Sequence, residues 1–393
     1  MNIAFFTDTY LPTVDGVVTS LCTTKRQLEA LGHRVLVVAP ARKGVPREPG
    51  TRYVWALRFK RYPEYGMALV PTRDAAALKA FDADLVHSHG LTFMAVKAMW
   101  AAWQLDLPTV QTWHTMIHEA IPYYSPFALD PRVLERGLRV FLRRYLRKCD
   151  EVIAPTGVVM KELLELAPNI RRHRVLPTGV DTARFRPGID GSWVRERWGV
   201  DGGRLVLHVG RISPEKNLPV LFAAMAAVRR EAPDARLVIA GTGPKLEEYR
   251  AIVRQLGLAE TVQFAGFVPD AELPAYYAAC DAFATASTFE TQGLVILEAM
   301  ASGKPVAGPD FRAVPEFVRE GVNGHLFAAN NPIAAAGAIL KCLRGDIAAG
   351  ACRETAERFS VVQCTGLLVD AYRELLRDWG SGAMPHGTGR IFG

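Results

Sequence analysis

Long apolar runs are missing from this chain. The best candidate for a membrane span, LTFMAVKAMWAAW, is broken by Lys97 and is shorter than the roughly 20 residues a spanning helix needs, so any meeting with a membrane is expected at its surface. Cysteine is scarce and scattered. Cys22, Cys149, Cys280, Cys342, Cys352 and Cys364 form no CxxC or other tight pair, which argues against a disulfide framework and for reduced, packed thiols in a cytosolic protein. The N-terminal MNIAFFTDTY has no basic stretch and meets Asp8 before any long apolar run, so no signal peptide is expected. The dinucleotide fingerprint GxGxxG is absent as well.

What is present is globular: 393 residues, 49% hydrophobic and 22% charged, a length for which two domains are the default. The net charge of +7 is unevenly placed. Residues 1–190 hold 26 Lys and Arg against 18 Asp and Glu, whereas the remainder is nearly balanced, 21 against 22. Most of the excess lies in residues 132–148, RVLERGLRVFLRRYLRK, with seven basic residues against one Glu. Such a stretch suits nucleic acid, anionic lipid or a phosphorylated substrate, and charge alone does not choose among them.

Short β-branched or aromatic runs alternate with helix-length segments. Ile3–Phe6, Val35–Val38, Leu85–His87, Thr109–Thr112, Val152–Ala154 and Val175–Leu176 are predicted strands of one half; Leu205–Val209, Leu237–Ala240, Val262–Ala265, Ala282–Ala284 and Val306–Ala307 repeat the pattern in the other. The segment 18–31 reads as a helix closed by Gly32. This is the alternation of an α/β fold with two doubly wound parallel sheets. The Pro- and Gly-rich stretch PTGVDTARFRPGIDGSW, 177–193, reads as the linker, and a last helix is predicted over 361–377. The tail 381–393 is Gly-rich and expected to be disordered.

Two such halves place a ligand at the carboxyl ends of their strands. There Asp15 and Gly16 precede a helix whose free N–H groups suit an anion, or form no more than a tight turn. After the first strand of the second half come Gly210, Arg211 and Lys216, cations suited to a diphosphate or merely a solvated basic loop. The segment 287–308, STFETQGLVILEAMASGKPVAG, carries Glu290 on a loop and Glu298 within an apolar helix, where an unpaired carboxylate is costly and needs a partner. Gln292, Gly293 and Leu294 offer N–H groups at that helix's start. Asp82 and Asp84 form a DxD but lie at the amino end of their strand, the wrong edge for a substrate metal. His87, His89, His114 and His118 lack the Cys or carboxylates of a zinc signature, so no metal site is expected; His114, directly after a strand, suits hydrogen bonding at the site.

With these residues in hand, the chain resembles glycosyltransferase family 4. The DGV loop, DADLVHSHG, PTGVDTARFRP, HVGRISPEKN, IAGTGP, FAGFVPDAELPAYYAACDAF and the two Glu residues with seven residues between them occur in family order over nearly the whole length. The resemblance implies the GT-B architecture: two facing Rossmann-like domains with a cleft between them. Residues 1–185 would be the acceptor-side domain, 186–357 the nucleotide-sugar domain, and 358–380 a C-terminal helix packing back on the first. It further implies a retaining hexosyltransferase without bound metal or other cofactor, the nucleotide sugar being a substrate. Arg211 and Lys216 would hold the donor diphosphate, Glu290 the sugar hydroxyls, Glu298 the ribose and Gly16 the donor through its backbone; Gly266 and Phe267 would line the base, and His114 would stand beside the transferred sugar. By residue type, Asp15 and Glu119 leave a double displacement open beside the same-face substitution usual in the family.

ETQG and HTMIHEAIPYYSP are similar to diacylglycerol glucosyltransferases. Helical spacing sets Leu134, Leu138, Phe141, Leu142 and Tyr145 on one side of the basic stretch; Arg132, Arg136, Arg139, Arg143 and Arg147 lie on another, with Arg144 and Lys148 adding charge. That pattern suits a helix lying in an anionic bilayer interface, or an ordinary helix with its apolar face in the core. The expectation is therefore transfer of glucose from UDP-glucose to diacylglycerol or a related lipid, by a protein at the cytoplasmic face of the cell membrane. The alternatives are a GDP-mannose-dependent mannosyltransferase acting on phosphatidylinositol or another polar acceptor, and a non-catalytic membrane or nucleic-acid binder. Nucleic acid is the least expected partner, since no recognition module accompanies the basic run.

Overall fold

The structure, a computed structural model, describes the chain apart from residues 14, 43–44, 46, 59–65, 69–73, 115–130, 201 and 383–393. It divides into two compact units, Met1–Gly179 with Cys364–Gly393, and Val180–Gln363. The expectations for His118, Glu119 and most of the 381–393 tail fall outside the described residues.

In the first unit β1 (Asn2–Phe6), β2 (Arg34–Pro40), β3 (Thr51–Val54), β6 (Leu85–Ser88), β7 (Thr109–Thr112), β8 (Glu151–Ala154) and β9 (His173–Val175) form one parallel sheet, ordered β3-β2-β1-β6-β7-β8-β9. A short antiparallel pair, β4 (Leu57–Arg58) and β5 (Gly66–Met67), stands apart from it. The inner strands are apolar on both faces because helices cover both. Ile3, Phe5, Val37, Leu85 and Val110 meet Leu21 and Leu28 of the Gly16–Ala30 helix on one face, together with Leu368, Val369, Tyr372 and Leu375 of the Val361–Gly380 helix. Ala4, Phe6, Val38 and Val86 meet Leu78, Met94, Ala98 and Ala102 on the other.

Charge also ties the Val361–Gly380 helix to the sheet edge. Glu151, 1% exposed, is bracketed by Arg172 and Arg174, and these reach Glu374 and Asp378; Arg172 lies 2.9 Å from Glu374 and 2.7 Å from Asp378.

The second unit holds β10 (Arg204–Val209), β11 (Ala235–Ala240), β12 (Val262–Gly266), β13 (Ala282–Ala284), β14 (Val306–Pro309) and β15 (Gly324–Phe327), again all parallel, ordered β12-β11-β10-β13-β14-β15. Two apolar layers sandwich it, one with Tyr276, Tyr277, Leu297 and Phe317, the other with Leu221, Phe222, Met225 and Ile339. Beyond β10 and β11 the chains approach so closely that a Cβ on Gly241 would stand 1.9 Å from the Gly210 carbonyl oxygen, so only glycine fits there.

The sequence reading contained no strand at β3 or β15 and placed β9 two residues late. All three are sheet edges, short and partly exposed, so they lack the continuous apolar signal of the inner strands. Five of the six cysteines are buried and Cys22 is half-buried; none is paired. Among the described residues no helix is long and apolar enough to cross a membrane.

Candidate functional site

In the second unit β10 delivers Gly210 and Arg211, and a 3-10 turn over Pro214–Lys216 brings Lys216 back to the same edge. Lys216 Nζ donates to Glu290 Oε1, on the loop after β13. Burial raises the Glu290 carboxyl, but the Lys216 charge and the hydrogen bonds from Lys216 and Ser287 outweigh it, and the net effect holds it below the ordinary range. Arg211 is half-buried. Gly266 ends β12 with φ +71°, and Phe267 beside it is 60% exposed. In a parallel sheet these carboxyl ends share one edge, so Arg211, Lys216, Gly266, Phe267 and Glu290 are gathered there.

The Leu294–Ala301 helix opens at Gly293, which has φ +82° and gives no side-chain cap. Its first N–H groups, with those of Gln292 and Gly293 just before, lie at the positive end of the helix. Glu298 in the same helix is 8% exposed. Its partner is Tyr277, whose hydroxyl donates to Oε2 at 2.7 Å, and burial holds the Glu298 carboxyl above its usual range. Tyr277 lies 21 residues upstream in the separate Leu273–Ala279 helix, which is why no sequence pattern announces it.

In the first unit Gly16 is the exposed first residue of its helix, capped by Asp15, whose Oδ1 accepts from the Val18 N–H at 2.8 Å. His114 follows β7 and its Nε2 lies 2.9 Å from His89 Nδ1. His87, its ring centroid 4.1 Å from that of His89 and tilted 30° to it, bonds Thr112 Oγ1 at 2.7 Å through Nε2 and the Tyr372 hydroxyl through Nδ1. Burial lowers all three imidazoles, His114 to about 4 and His87 to about 3, so they are neutral near pH 7. They line a small recess with Ser20, Thr24, Thr178 and Thr365. Among the described residues no group of three His, Cys, Asp or Glu is arranged to hold a metal. Asp82 and Asp84 are occupied at the amino edge, where the Asp84 carboxylate accepts from the Asn2 N–H and the Asp82 carbonyl from the Asn2 amide, both at 2.7 Å.

The basic helix spans Pro131–Leu146. Its apolar side is divided: Leu142, Tyr145 and Leu146 are buried, and the Tyr145 hydroxyl donates to Gln111 Oε1 at 2.6 Å, while Leu134, Leu138 and Phe141 are only half-buried. Of the two settings open to the apolar side, a bilayer interface or the core, Leu142 and Tyr145 take the core, because the last turns anchor the helix on β7. Arg132, Arg136, Arg139, Arg143, Arg144 and Arg147 are exposed and Lys148 half-buried. Arg139 pairs with Glu135 at 2.9 Å and Arg143 donates to the Leu166 carbonyl at 2.9 Å.

Sequence reasoning passed over one buried residue at the second unit's edge. His208, 1% exposed on β10, sits inside an apolar strand pattern that gives no separate signal.

Comparisons with known proteins bear on the family and the fold. The profile described as Glycosyltransferase Family 4 matches residues 14–184, and that described as Glycosyl transferases group 1 matches 194–359. An alpha-monoglucosyldiacylglycerol synthase of Streptococcus pneumoniae is 31% identical over 355 residues, covering 87% of this chain and 78% of that protein. A GDP-mannose-dependent alpha-mannosyltransferase of Mycobacterium tuberculosis is 31% identical over 324 residues, 79% of each chain. Among solved structures, Anabaena Alr3699/HepE in complex with UDP superposes with a TM-score of 0.77 at 22% identity, covering 95% of this chain and 100% of that one.

Proposed function

The chain belongs to glycosyltransferase family 4 and has the GT-B fold, and on that premise we propose that it transfers glucose from UDP-glucose, with retention, to diacylglycerol or a related membrane lipid. The observation that carries the donor half is the Lys216–Glu290 pair at the carboxyl edge of the second sheet. In this reading Arg211 and Lys216 hold the diphosphate, Glu290 takes sugar hydroxyls through its second oxygen, and Glu298 meets the ribose. Gln292, Gly293 and Leu294 give N–H groups to phosphate, Gly266 and Phe267 border the base, Gly16 offers backbone to the donor, and His114 stands by the sugar.

The step proposed is a same-face substitution. The bond from the sugar's anomeric carbon to the phosphate oxygen breaks, the acceptor oxygen bonds that carbon, and the acceptor's proton passes to the leaving phosphate. Arg211, Lys216 and the helix N-terminus stabilise the charge that develops there, a task a resident metal would otherwise perform.

Similarity to a monoglucosyldiacylglycerol synthase supports the lipid half, as do the exposed arginines of the Pro131–Leu146 helix. The protein would then work peripherally, on the inner face of the cell membrane. Purified protein given UDP-glucose and diacylglycerol in anionic micelles is expected to yield an α-linked glycolipid; turnover confined to a soluble sugar would refute the lipid acceptor. A second reading, favoured by the 31% identity to a GDP-mannose-dependent mannosyltransferase, is separated by comparing transfer from GDP-mannose with transfer from UDP-glucose.

Membrane contact has its own test. Arg132→Ala/Arg136→Ala/Arg139→Ala should weaken binding to phosphatidylserine vesicles by about 100-fold at low salt, from about 1 kcal/mol per basic residue. High salt should erase most of the difference. Equal binding of variant and wild type would remove this helix from the interface.

A further inference from the structure

His208 is a buried imidazole with half of its hydrogen-bonding capacity unused. Its Nδ1 lies 2.9 Å from the Ala284 carbonyl oxygen. A carbonyl only accepts, so Nδ1 carries the proton and Nε2 presents a bare lone pair. Among the described residues that Nε2 has no partner, and the ring is 1% exposed. The Phe283 ring lies nearly parallel to it, with centroids 6.3 Å apart and 17° between the planes.

The lone pair borders the space left by Gly210. A Cβ placed on Gly210 would stand 3.4 Å from His208 Nε2 and 3.9 Å from Lys216 Cε. The room that glycine leaves open therefore lies between the imidazole and the stem of the lysine that pairs with Glu290. Burial lowers the His208 pKa to about 4, with the Ala284 hydrogen bond and Glu290 working against it and Lys216 reinforcing it. The ring stays neutral near pH 7, and a neutral acceptor repels a phosphate oxygen that brings no proton. It accepts from a hydroxyl. An unsatisfied buried acceptor is unfavourable, so a ligand hydroxyl that reaches it gains where one that misses does not.

We propose that His208 Nε2 accepts a hydrogen bond from one hydroxyl of the transferred sugar and so helps select the donor. This rests on the nucleotide-sugar reading above and adds to it a neutral acceptor beside the Lys216–Glu290 pair.

The test compares wild type and His208→Phe with UDP-glucose and its four singly deoxygenated sugar analogues. Wild type should lose on the order of 10- to 100-fold in kcat/KM at the sugar position that His208 serves, besides the losses at hydroxyls that Glu290 takes, because the analogue leaves a buried acceptor unpaired. His208→Phe should lose that discrimination at the same position only, and His208→Gln, which keeps an acceptor, should recover part of it. Unchanged discrimination in His208→Phe at every position, or a uniform loss, overturns the proposal. Should His208→Phe fail to fold, the ¹⁵N resonance of His208 Nε2 in wild type decides: it should move with UDP-glucose and not with UDP, and no movement with UDP-glucose overturns the proposal. Wild type that neither binds nor turns over any nucleotide sugar would instead defeat the functional reading itself.

Discussion

Replacing Lys216 by alanine is expected to lower kcat for sugar transfer by about 100- to 1,000-fold, the scale seen when one preorganised charge-stabilising group is removed. Two losses combine. The departing diphosphate forfeits a fixed cation, and Glu290, 12% exposed, is left as a carboxylate without its partner. In wild type burial pushes the Glu290 carboxyl up, and Lys216 together with the Ser287 hydrogen bond more than reverses it, so the folded value lies below the unfolded one. A lowered folded value means that the pair's stabilisation is present above the unfolded carboxylate range and is lost as pH falls through the folded value. Without Lys216 the burial effect is left largely unopposed, and Lys216→Ala should lose activity on the acid side at a higher pH than wild type. Steady-state kinetics from pH 4 to 9 with UDP-glucose measures both effects. Lys216→Arg should retain part of kcat through its charge, and a Lys216→Ala rate within tenfold of wild type would take Lys216 out of the charge-stabilising role.

The largest expected effect on stability comes from Arg172→Ala/Arg174→Ala, a loss of about 3–5 kcal/mol, as when a buried ion pair is broken from one side. Glu151 is the reason: it is 1% exposed on β8, and those two guanidiniums are its ion-pair partners there. Burial already holds its carboxyl above the ordinary range against both arginines. Adding Glu151→Gln to the double variant should return more than half of the loss, since the stranded charge is then gone. Urea unfolding reads this as a shift in midpoint at unchanged slope. A loss no larger than that of an exposed ion pair, about 1 kcal/mol, would reduce the network to surface decoration.

How much was legible depended on whether a residue's partner was near in sequence. β1, β6, β7, β8 and the inner strands of the second unit, β10, β11, β13 and β14, stood out because helices bury both their faces, leaving unbroken apolar runs. The Lys216 and Glu290 motifs were readable too, since each follows a strand and needs only a loop to reach the edge. Partners brought by folding were not. Glu298 asked for a partner, and Tyr277 gave no sign of being it. The start of the Phe93–Leu105 helix is capped from afar by Asp8, whose carboxylate accepts from the N–H groups of Leu91, Thr92 and Met94. That also explains Gly90: a Cβ there would stand 2.5 Å from an Asp8 oxygen. His208 was hidden differently, because an imidazole in a strand core looks like any other buried position until its hydrogen bonds are traced.

The Val361–Gly380 helix makes the first unit discontinuous: its core needs Leu368, Val369, Tyr372 and Leu375, which lie beyond all of Val180–Gln363. During synthesis the ribosome therefore releases every strand of the second unit before the residues that finish the first. The second unit, continuous in sequence, is free to fold in its turn. The first must wait with one face of its sheet covered only by the Gly16–Ala30 helix, leaving open the part that Leu368, Val369, Tyr372 and Leu375 will cover and the His87 ring that Tyr372 will later engage. For this chain the order of translation and the order of completion are different, and the interval between them is when its exposed sheet is most open to aggregation or chaperone capture.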